Sequence, residues 1–320
     1  MSTANAKPKP DIAKVEQWLG DHHKLSVEDL APLMGGYWSS AYSYTVGENK
    51  FVLRLGESGD GYLIDEKAYQ FNGPMLPVPH VVDRGEALGL AYAISNRHYG
   101  QFIETVAEKK AQQVGLAMDN LLQAMRAITP ASVDQAVWYD PVQSDLTWHK
   151  WLLGSLTDRP DSHTAGWRRR LAAKPALDNL FNECDARIRA LLPECPSRGD
   201  LVHGDLLHQN VLVNDAADKV TAVFSWKCSA RGDFLYDVAW CTVWSPWHPV
   251  IDTADIWTRV LAADDLSEAD LKNAAIRHHC YELQIAASHM GWYAWTEDEE
   301  NMASLVKVIT LILHRGPLTI

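Results

Sequence analysis

His203, Asp205 and Asn210 stand in the stretch Leu201-Val-His-Gly-Asp-Leu-Leu-His-Gln-Asn-Val-Leu-Val213, with four residues between the acid and the amide. Two apolar runs flank a polar middle, which reads as strand, loop, strand. In phosphoryl transfer, an aspartate orients and deprotonates the attacking hydroxyl, and an asparagine five positions on coordinates the metal that bridges the phosphates. Asp205 is the candidate for the first task and Asn210 for the second. His203 reads as a packing residue of the loop, and His208 as an exposed side chain within it.

Such chemistry also needs a cradle for nucleotide phosphates, built from backbone N–H groups, small hydroxyls and cations. Upstream, Leu33-Met-Gly-Gly-Tyr-Trp-Ser-Ser40 leads into an alternating strand through Tyr42, Tyr44 and Val46. Gly47-Glu-Asn49 turns the chain, and Lys50 to Leu55 returns as a second strand. Ser40, in the Gly/Ser-rich entry to this hairpin, is a candidate phosphate contact. Arg54 ends an apolar Phe-Val-Leu run, which puts its cation at the inner edge of a sheet. There it can hold the α- and β-phosphates while paired with an acid on the following helix, about Tyr62 to Phe71. Glu66 is the first choice of partner and Asp65 the second. After the break from Pro74 to Pro79, Val81-Val82 and Leu90 to Ser95 read as strands. The segment 91–100 then turns from apolar to polar, which marks a hinge. The backbone of Ser95 and Arg97 is expected to face an adenine edge. The lobes are accordingly drawn as 1–95, a nucleotide-binding sheet and helix, and 96–320, holding catalytic loop, metal site and substrate-binding helices.

The remaining elements are mostly helical. A first helix is expected from Asp11 to Gly20, capped by Asp11, with others at 113–128, 146–156, 175–192, 251–262, 267–287 and 303–314. Thr129-Pro130 is expected to stop the second of these, and Val137 to Asp145 reads as a surface insertion. Past the catalytic loop, a strand Val220-Thr-Ala-Val-Phe224 leads to Ser225-Trp226 and then Gly232-Asp233-Phe-Leu-Tyr-Asp237. Asp233 is a natural helix cap, and Asp237 is placed to bond the backbone of the catalytic loop. Trp240 suits a core position. Trp244 and Trp247 are the substrate candidates, because a tryptophan face stacks on sugars and attracts cations.

The formal net charge of −12 argues against a nucleic-acid partner, which would require basic surface. It suits a cationic small substrate, as it suits any soluble acidic surface. Five scattered cysteines with no C-x-x-C pair read as reduced thiols. The start has no apolar leader, and no apolar run approaches the ~18 residues of a membrane span. The expectation is a cytoplasmic protein with no membrane association.

Taken together, Leu201-Val-His-Gly-Asp-x-x-x-x-Asn-Val-Leu212, Thr221-Ala-Val-Phe-x-Trp226 and Gly232-Asp-x-x-x-Asp237-Val-Ala resemble the aminoglycoside phosphotransferase family. Further points run from Tyr44-x-Val-Gly47 and Phe51-Val-Leu-Arg54 through Leu76-Pro-x-Pro79, Ile94-Ser-x-Arg97 and Thr147-Trp148 to Trp244-x-Pro-Trp247. These are similar to the branch of the family that modifies hygromycin B. The resemblance implies an α+β, two-lobed protein-kinase-like fold with a small antiparallel-sheet N-lobe and a larger, mainly helical C-lobe. It implies ATP or GTP with Mg²⁺ as cofactors, Asp205 facing the acceptor hydroxyl, and Asn210 plus a following aspartate holding the metal. That second acid is replaced here by Ser225, a far weaker Mg²⁺ ligand than a carboxylate. The expected activity is ATP-dependent O-phosphorylation of a cationic aminoglycoside by a monomer, conferring resistance, with turnover reduced by Ser225. The alternatives are a weak or inactive pseudokinase that binds nucleotide or drug, and a kinase of another small alcohol.

Overall fold

The computed structural model describes residues 7–34, 36–128 and 147–319. It divides into two compact units, one of Met1–Val106 with Asp205–Ser229, the other of Ala107–Gly204 with Ala230–Ile320. The expected helix stop at Thr129-Pro130 and the insertion at Val137 to Asp145 lie outside the described residues.

In the first unit, Asp11 caps α1 (Ile12–His23) by accepting the Ala13 N–H at 2.9 Å, and left-handed Lys24 ends it. Five strands follow: β1 (Glu28–Leu33), β2 (Ser39–Val46), β3 (Asn49–Gly56), β4 (Val81–Ala87) and β5 (Leu90–Asn96). They form one antiparallel sheet in the order β1-β2-β3-β5-β4. Gly47 (φ +59°) opens the β2–β3 turn, while Leu88 and Gly89, both at positive φ, form the β4–β5 turn. Along β2 the side chains alternate, so Tyr42, Tyr44 and Val46 face Val15 and Leu19 of α1 together with Leu53, Leu55 and Ile94. The opposite face packs Tyr62 of α2 (Asp60–Ala68) against Val81 and Ala93. Strand β1 was not legible in the sequence; it is an edge strand containing Pro32, and its exposure does not alternate.

After β6 (Gln101–Phe102) the chain enters the second unit through α3 (Ala111–Arg126), α4 (Trp148–Gly154), α5 (Trp167–Ala172), α6 (Pro175–Leu191) and β7 (Asp200–Val202). It returns to the first unit for β8 (Val211–Val213) and β9 (Val220–Val223), which form a small sheet with β6 in the order β6-β8-β9. The rest lies in the second unit: β10 (Ala230–Gly232) beside β7, then α7 (Leu235–Trp244), α8 (Pro249–Ala254), α9 (Ile256–Leu261), α10 (Glu268–Leu271), α11 (Ala274–Thr296) and α12 (Glu299–Arg315). Two helices expected as single rods are each broken by a left-handed residue, Asp255 between α8 and α9 and Asn273 before α11. Ser267 does cap α10 through a reciprocal box with Asp270, but that helix ends at Leu271.

Helix α11 is the centre of the second unit and packs against α5, α6, α7 and α12. Its Arg277, 1% exposed, grips both oxygens of buried Asp233 at 2.7 and 2.8 Å and donates to the carbonyls of Asp270 and Lys272. Tyr281 donates to the same carboxylate at 2.8 Å and accepts Trp148 Nε1–H at 3.1 Å. Asp233 is therefore chiefly the anion of a buried network; its capping bond to Leu235 N, 3.2 Å, is the lesser part of its role. Gly232 is fixed by the same packing, since a Cβ there would meet the Trp148 ring at 2.3 Å. An antiparallel-sheet unit and a mainly helical unit make up the α+β class expected from the sequence.

Candidate active site

Arg54 and Asp205 are 151 positions apart in the sequence, and both lie in the first unit, linked by a run of short contacts. Arg54 Nη1 lies 2.6 Å from Asp65 Oδ2. Asp65 Oδ1 accepts the Trp226 N–H at 2.8 Å, which ties α2 to the segment that follows β9. Two residues back, Phe224 N–H donates to the Asn210 carbonyl at 2.8 Å, beside the Val211–Val223 pair of β8 and β9. Asn210 Nδ2 donates to Asp205 twice, to its backbone oxygen and to Oδ2, each at 2.8 Å. Finally, His208 Nδ1 sits 2.9 Å from Asp205 Oδ1. A cation suited to phosphates and a carboxylate suited to a hydroxyl are thus held on one frame.

Sheet parity decides which side chains share the Arg54 face. Ser95 and Ala93 of β5 lie on that face, and Ser95 lines a small recess with Arg54, Asp65, Pro79 and Trp226. Ser40 does not. It pairs with Leu55 and lies on the α1 face, where its hydroxyl donates to the Pro8 carbonyl. Ser39, Ser43 and Thr45 carry the β2 hydroxyls on the Arg54 side, and Ser39 is the one next to Gly56 and Tyr62. The partner choice for Arg54 is also corrected. Glu66 points away and pairs with Arg84 at 2.7 Å in a partly exposed bridge, whereas Asp65 is 7% exposed and bonded to Arg54. Successive helix residues are rotated by about 100°, so only one of the two acids can face the sheet. Arg97 is corrected in part: its N–H is spent on the Lys50 carbonyl at 3.0 Å, so it has no donor for an adenine edge. Its guanidinium lies over the Tyr99 ring.

Two contributors were not singled out in the sequence. Tyr62 stacks its ring on the Arg54 guanidinium, 4.9 Å from ring centre to Cζ, and burial pushes its phenol upward. The signal available was its place one turn before Asp65 on the same helix. Glu104 accepts the Gln209 N–H inside the catalytic loop, and burial raises its carboxyl above the usual range.

The loop's other anchor belongs to the second unit. Asp237, 1% exposed, accepts the N–H groups of His203 and Gly204 at 2.8 Å each, as its place in the sequence suggested. Trp244 and Trp247 also belong to that unit. Trp244 is 3% exposed, packed among Trp240, Trp247 and His289, and so has no open face for a sugar. Trp247 is half-buried.

A divalent metal would find Asn210 Oδ1, the Asp205 carboxylate and the Ser225 hydroxyl at this end of β8 and β9. Both oxygens of Asp65 are already engaged by Arg54 and Trp226, and Ser225 is left-handed at φ 64°, ψ 56°. Among the described residues no group of three His, Cys, Asp or Glu side chains is arranged to hold a metal. Such a donor set fits Mg²⁺ that keeps its waters and takes its remaining ligands from nucleotide phosphates; it is not an all-protein cage.

Residues 29–271 match the model of the phosphotransferase enzyme family. The chain belongs to this family. It is 30% identical over 254 residues to hygromycin-B 4-O-kinase of Escherichia coli, spanning 75% of this chain and 69% of that enzyme. Among solved structures, aminoglycoside phosphotransferase APH(4)-Ia superposes with a TM-score of 0.76 at 23% identity, covering 96% of this chain and all of that one. A thermostable mutant of it, in ternary complex with AMP-PNP and hygromycin B, gives 0.77 at 24% identity, covering 96% and 99%. Spectinomycin phosphotransferase APH(9)-Ia is more distant, at 0.56 and 11%, covering 96% and 95%. The kinase-like fold and the family resemblance drawn from the catalytic-loop residues are borne out. Among the described residues, no helix is long and apolar enough to cross a membrane.

Proposed function

We propose that this member of the family is an ATP-dependent O-phosphotransferase that modifies a hydroxyl of a hygromycin B-like aminoglycoside and so confers resistance. The observation that carries this reading is the run of contacts from Arg54 through Asp65 and Asn210 to Asp205. Likeness to hygromycin-B 4-O-kinase supports the acceptor, and the net charge of −12 suits a cationic drug. Arg54, braced by Asp65 and Tyr62, binds the α- and β-phosphates. Asp205 accepts the proton of the acceptor hydroxyl as its oxygen bonds to the γ-phosphorus and the bond to ADP breaks. Asn210 fixes the Asp205 carboxylate with its amide N–H and offers its oxygen to Mg²⁺, which when bound neutralises phosphate charge. Ser95 borders the nucleotide recess, and Trp247 is the tryptophan left with a partly open face for substrate. Five free cysteines suit a reducing compartment such as the cytoplasm.

Ser225 favours a second reading, a weak or inactive enzyme that still binds nucleotide or drug. A neutral hydroxyl stands where a carboxylate would help to hold the metal, and comparable electrostatic losses cost about 10²–10³ in rate. Both readings are tested by ATP turnover with Mg²⁺ and hygromycin B for the natural chain and Ser225→Asp. Aspartate tolerates the left-handed backbone at this position, so the variant is expected to fold. Turnover by the natural chain establishes the kinase; turnover by Ser225→Asp alone supports the binder. If nucleotide binds and neither acts on hygromycin B, the acceptor is another aminoglycoside or a different small alcohol.

A further inference from the structure

Asp205 is bonded at both carboxylate oxygens. Asn210 Nδ2 takes Oδ2 at 2.8 Å, and His208 Nδ1 takes Oδ1 at 2.9 Å. The second bond depends on unusual backbone. His208 and Gln209 are consecutive non-glycine residues in the left-handed region, at φ 60° and 68°. Side chains with a Cβ hold that conformation only where their surroundings impose it. Here Glu104, on a 3-10 turn at Ile103–Thr105, accepts the Gln209 N–H, and Phe224 N–H binds the Asn210 carbonyl. In an extended loop, a residue three positions after Asp205 would be carried beyond reach; the left-handed pair folds the imidazole back onto the carboxylate.

We propose that His208 is a positioning residue for Asp205, donating its Nδ1–H to Oδ1 and so fixing the plane of the carboxylate. An ionised carboxylate only accepts hydrogen bonds, so the imidazole is the Nδ1–H tautomer. With Oδ1 and Oδ2 each held by a separate donor, the carboxylate cannot turn about its Cβ–Cγ bond. Its remaining lone pairs then keep one direction toward an incoming hydroxyl. Without His208, Oδ1 loses that donor while Asn210 still holds Oδ2, and misplacement of a general base is felt in the chemical step more than in nucleotide binding. This inference rests on the phosphotransferase reading for its catalytic consequence, and on the hydrogen bond alone for its structural content.

The test has two arms. Kinetics with Mg²⁺, ATP and hygromycin B compare the natural chain with His208→Ala and His208→Asn. The expected result for alanine is a fall in kcat of about 10- to 100-fold with the KM for ATP and the melting temperature unchanged. Asparagine can donate its amide N–H from the same region and accepts left-handed backbone, so it is expected to restore most of kcat. A natural kcat in His208→Ala, or equal losses in both variants, overturns the proposal. The second arm needs no turnover: nitrogen NMR above pH 8 reads the His208 tautomer in the natural chain and in Asp205→Ala. Nδ1–H in the former, lost in the latter, is the expected result. An Nε2–H tautomer in the natural chain overturns the proposal even if the protein proves to be no kinase. Absence of phosphate transfer alongside the Nδ1–H tautomer counts against the function and leaves the His208–Asp205 bond in place.

Discussion

Replacing Asp65 by Asn and Glu66 by Gln removes one negative charge from each of two neighbouring helix positions, yet the structure assigns them very different consequences. Asp65 is 7% exposed and accepts from Arg54 at 2.6 Å and from Trp226 N at 2.8 Å. An amide at that position keeps one acceptor and turns an N–H₂ toward a donor, so one charge-assisted bond is lost, worth about 1.5–3 kcal/mol. Arg54 must then be ordered when nucleotide binds. At about 1.4 kcal/mol per decade, the affinity for ATP should fall about 10- to 100-fold in Asp65→Asn. Glu66 instead meets Arg84 with side chains 41% and 40% exposed, and such surface pairs contribute about 0–1 kcal/mol, to stability only. Glu66→Gln should bind ATP as the natural chain does. Isothermal titration with ATP and Mg²⁺ on the three proteins, with melting temperatures measured alongside, checks both statements. Equal weakening by the two substitutions would refute the reasoning that one face of α2 holds Arg54.

Three further outcomes follow from the second unit. Asp237→Asn keeps one acceptor for two buried N–H groups, so it should lower stability by about 1–3 kcal/mol and reduce kcat more than the KM for ATP; denaturant melts and steady-state kinetics check this. Arg277→Met strips Asp233 of its bidentate partner and leaves it Arg198, 3.9 Å away, as a cation within reach, at a site where the Arg277 and Asp233 side chains are at most 1% exposed; unfolding should become easier by about 3–5 kcal/mol, and adding Asp233→Leu should recover part of that loss. Burial alone would raise the Glu282 carboxyl, but His278, His279 and Arg315 together hold it far below its ordinary 4.5. A depressed carboxylate gives stability that is present above its unfolded value and lost as pH falls below it, so acid melts of Glu282→Gln should show a shallower loss below about pH 4.5 than the natural chain.

How far the sequence could be read depended on the kind of signal. Hairpins and cores followed from alternation, and the catalytic loop from the fixed spacing of Asp205 and Asn210. The same alternation contained the correction at Ser40. That residue has the parity of Tyr42, Tyr44 and Val46, which pack on α1, and so belongs on their face. Asp65 and Glu66 could not be ordered by pattern, because α2 has a weak apolar stripe and only the contact with β3 shows which acid turns inward. Trp244 carried no mark of its burial, since a tryptophan that stacks on a sugar and one that fills a core are the same letter. The breaks at Asp255 and Asn273, like the fold-back at His208, rest on positive φ in residues that are not glycine. Tertiary contacts impose those angles, and local sequence does not announce them.

The placement of Asp205 has a physical reading of its own. Gly204, the last residue before it, sits at φ 76° with its N–H held by Asp237 in the second unit. Asp205 begins the return to the first unit, where Asn210 and His208 hold its side chain. The backbone before the acid and the carboxylate itself are thus held by different residues. A substitution at Asp237 should slacken the chain before the acid and leave the bonds of its side chain in place, whereas one at His208 should do the reverse. If both act only by placing Asp205, the double variant Asp237→Asn/His208→Ala should lose less in kcat than the product of the two single losses, because a carboxylate already misplaced has little orientation left to lose. Full multiplicativity would mean that the two anchors serve separate ends.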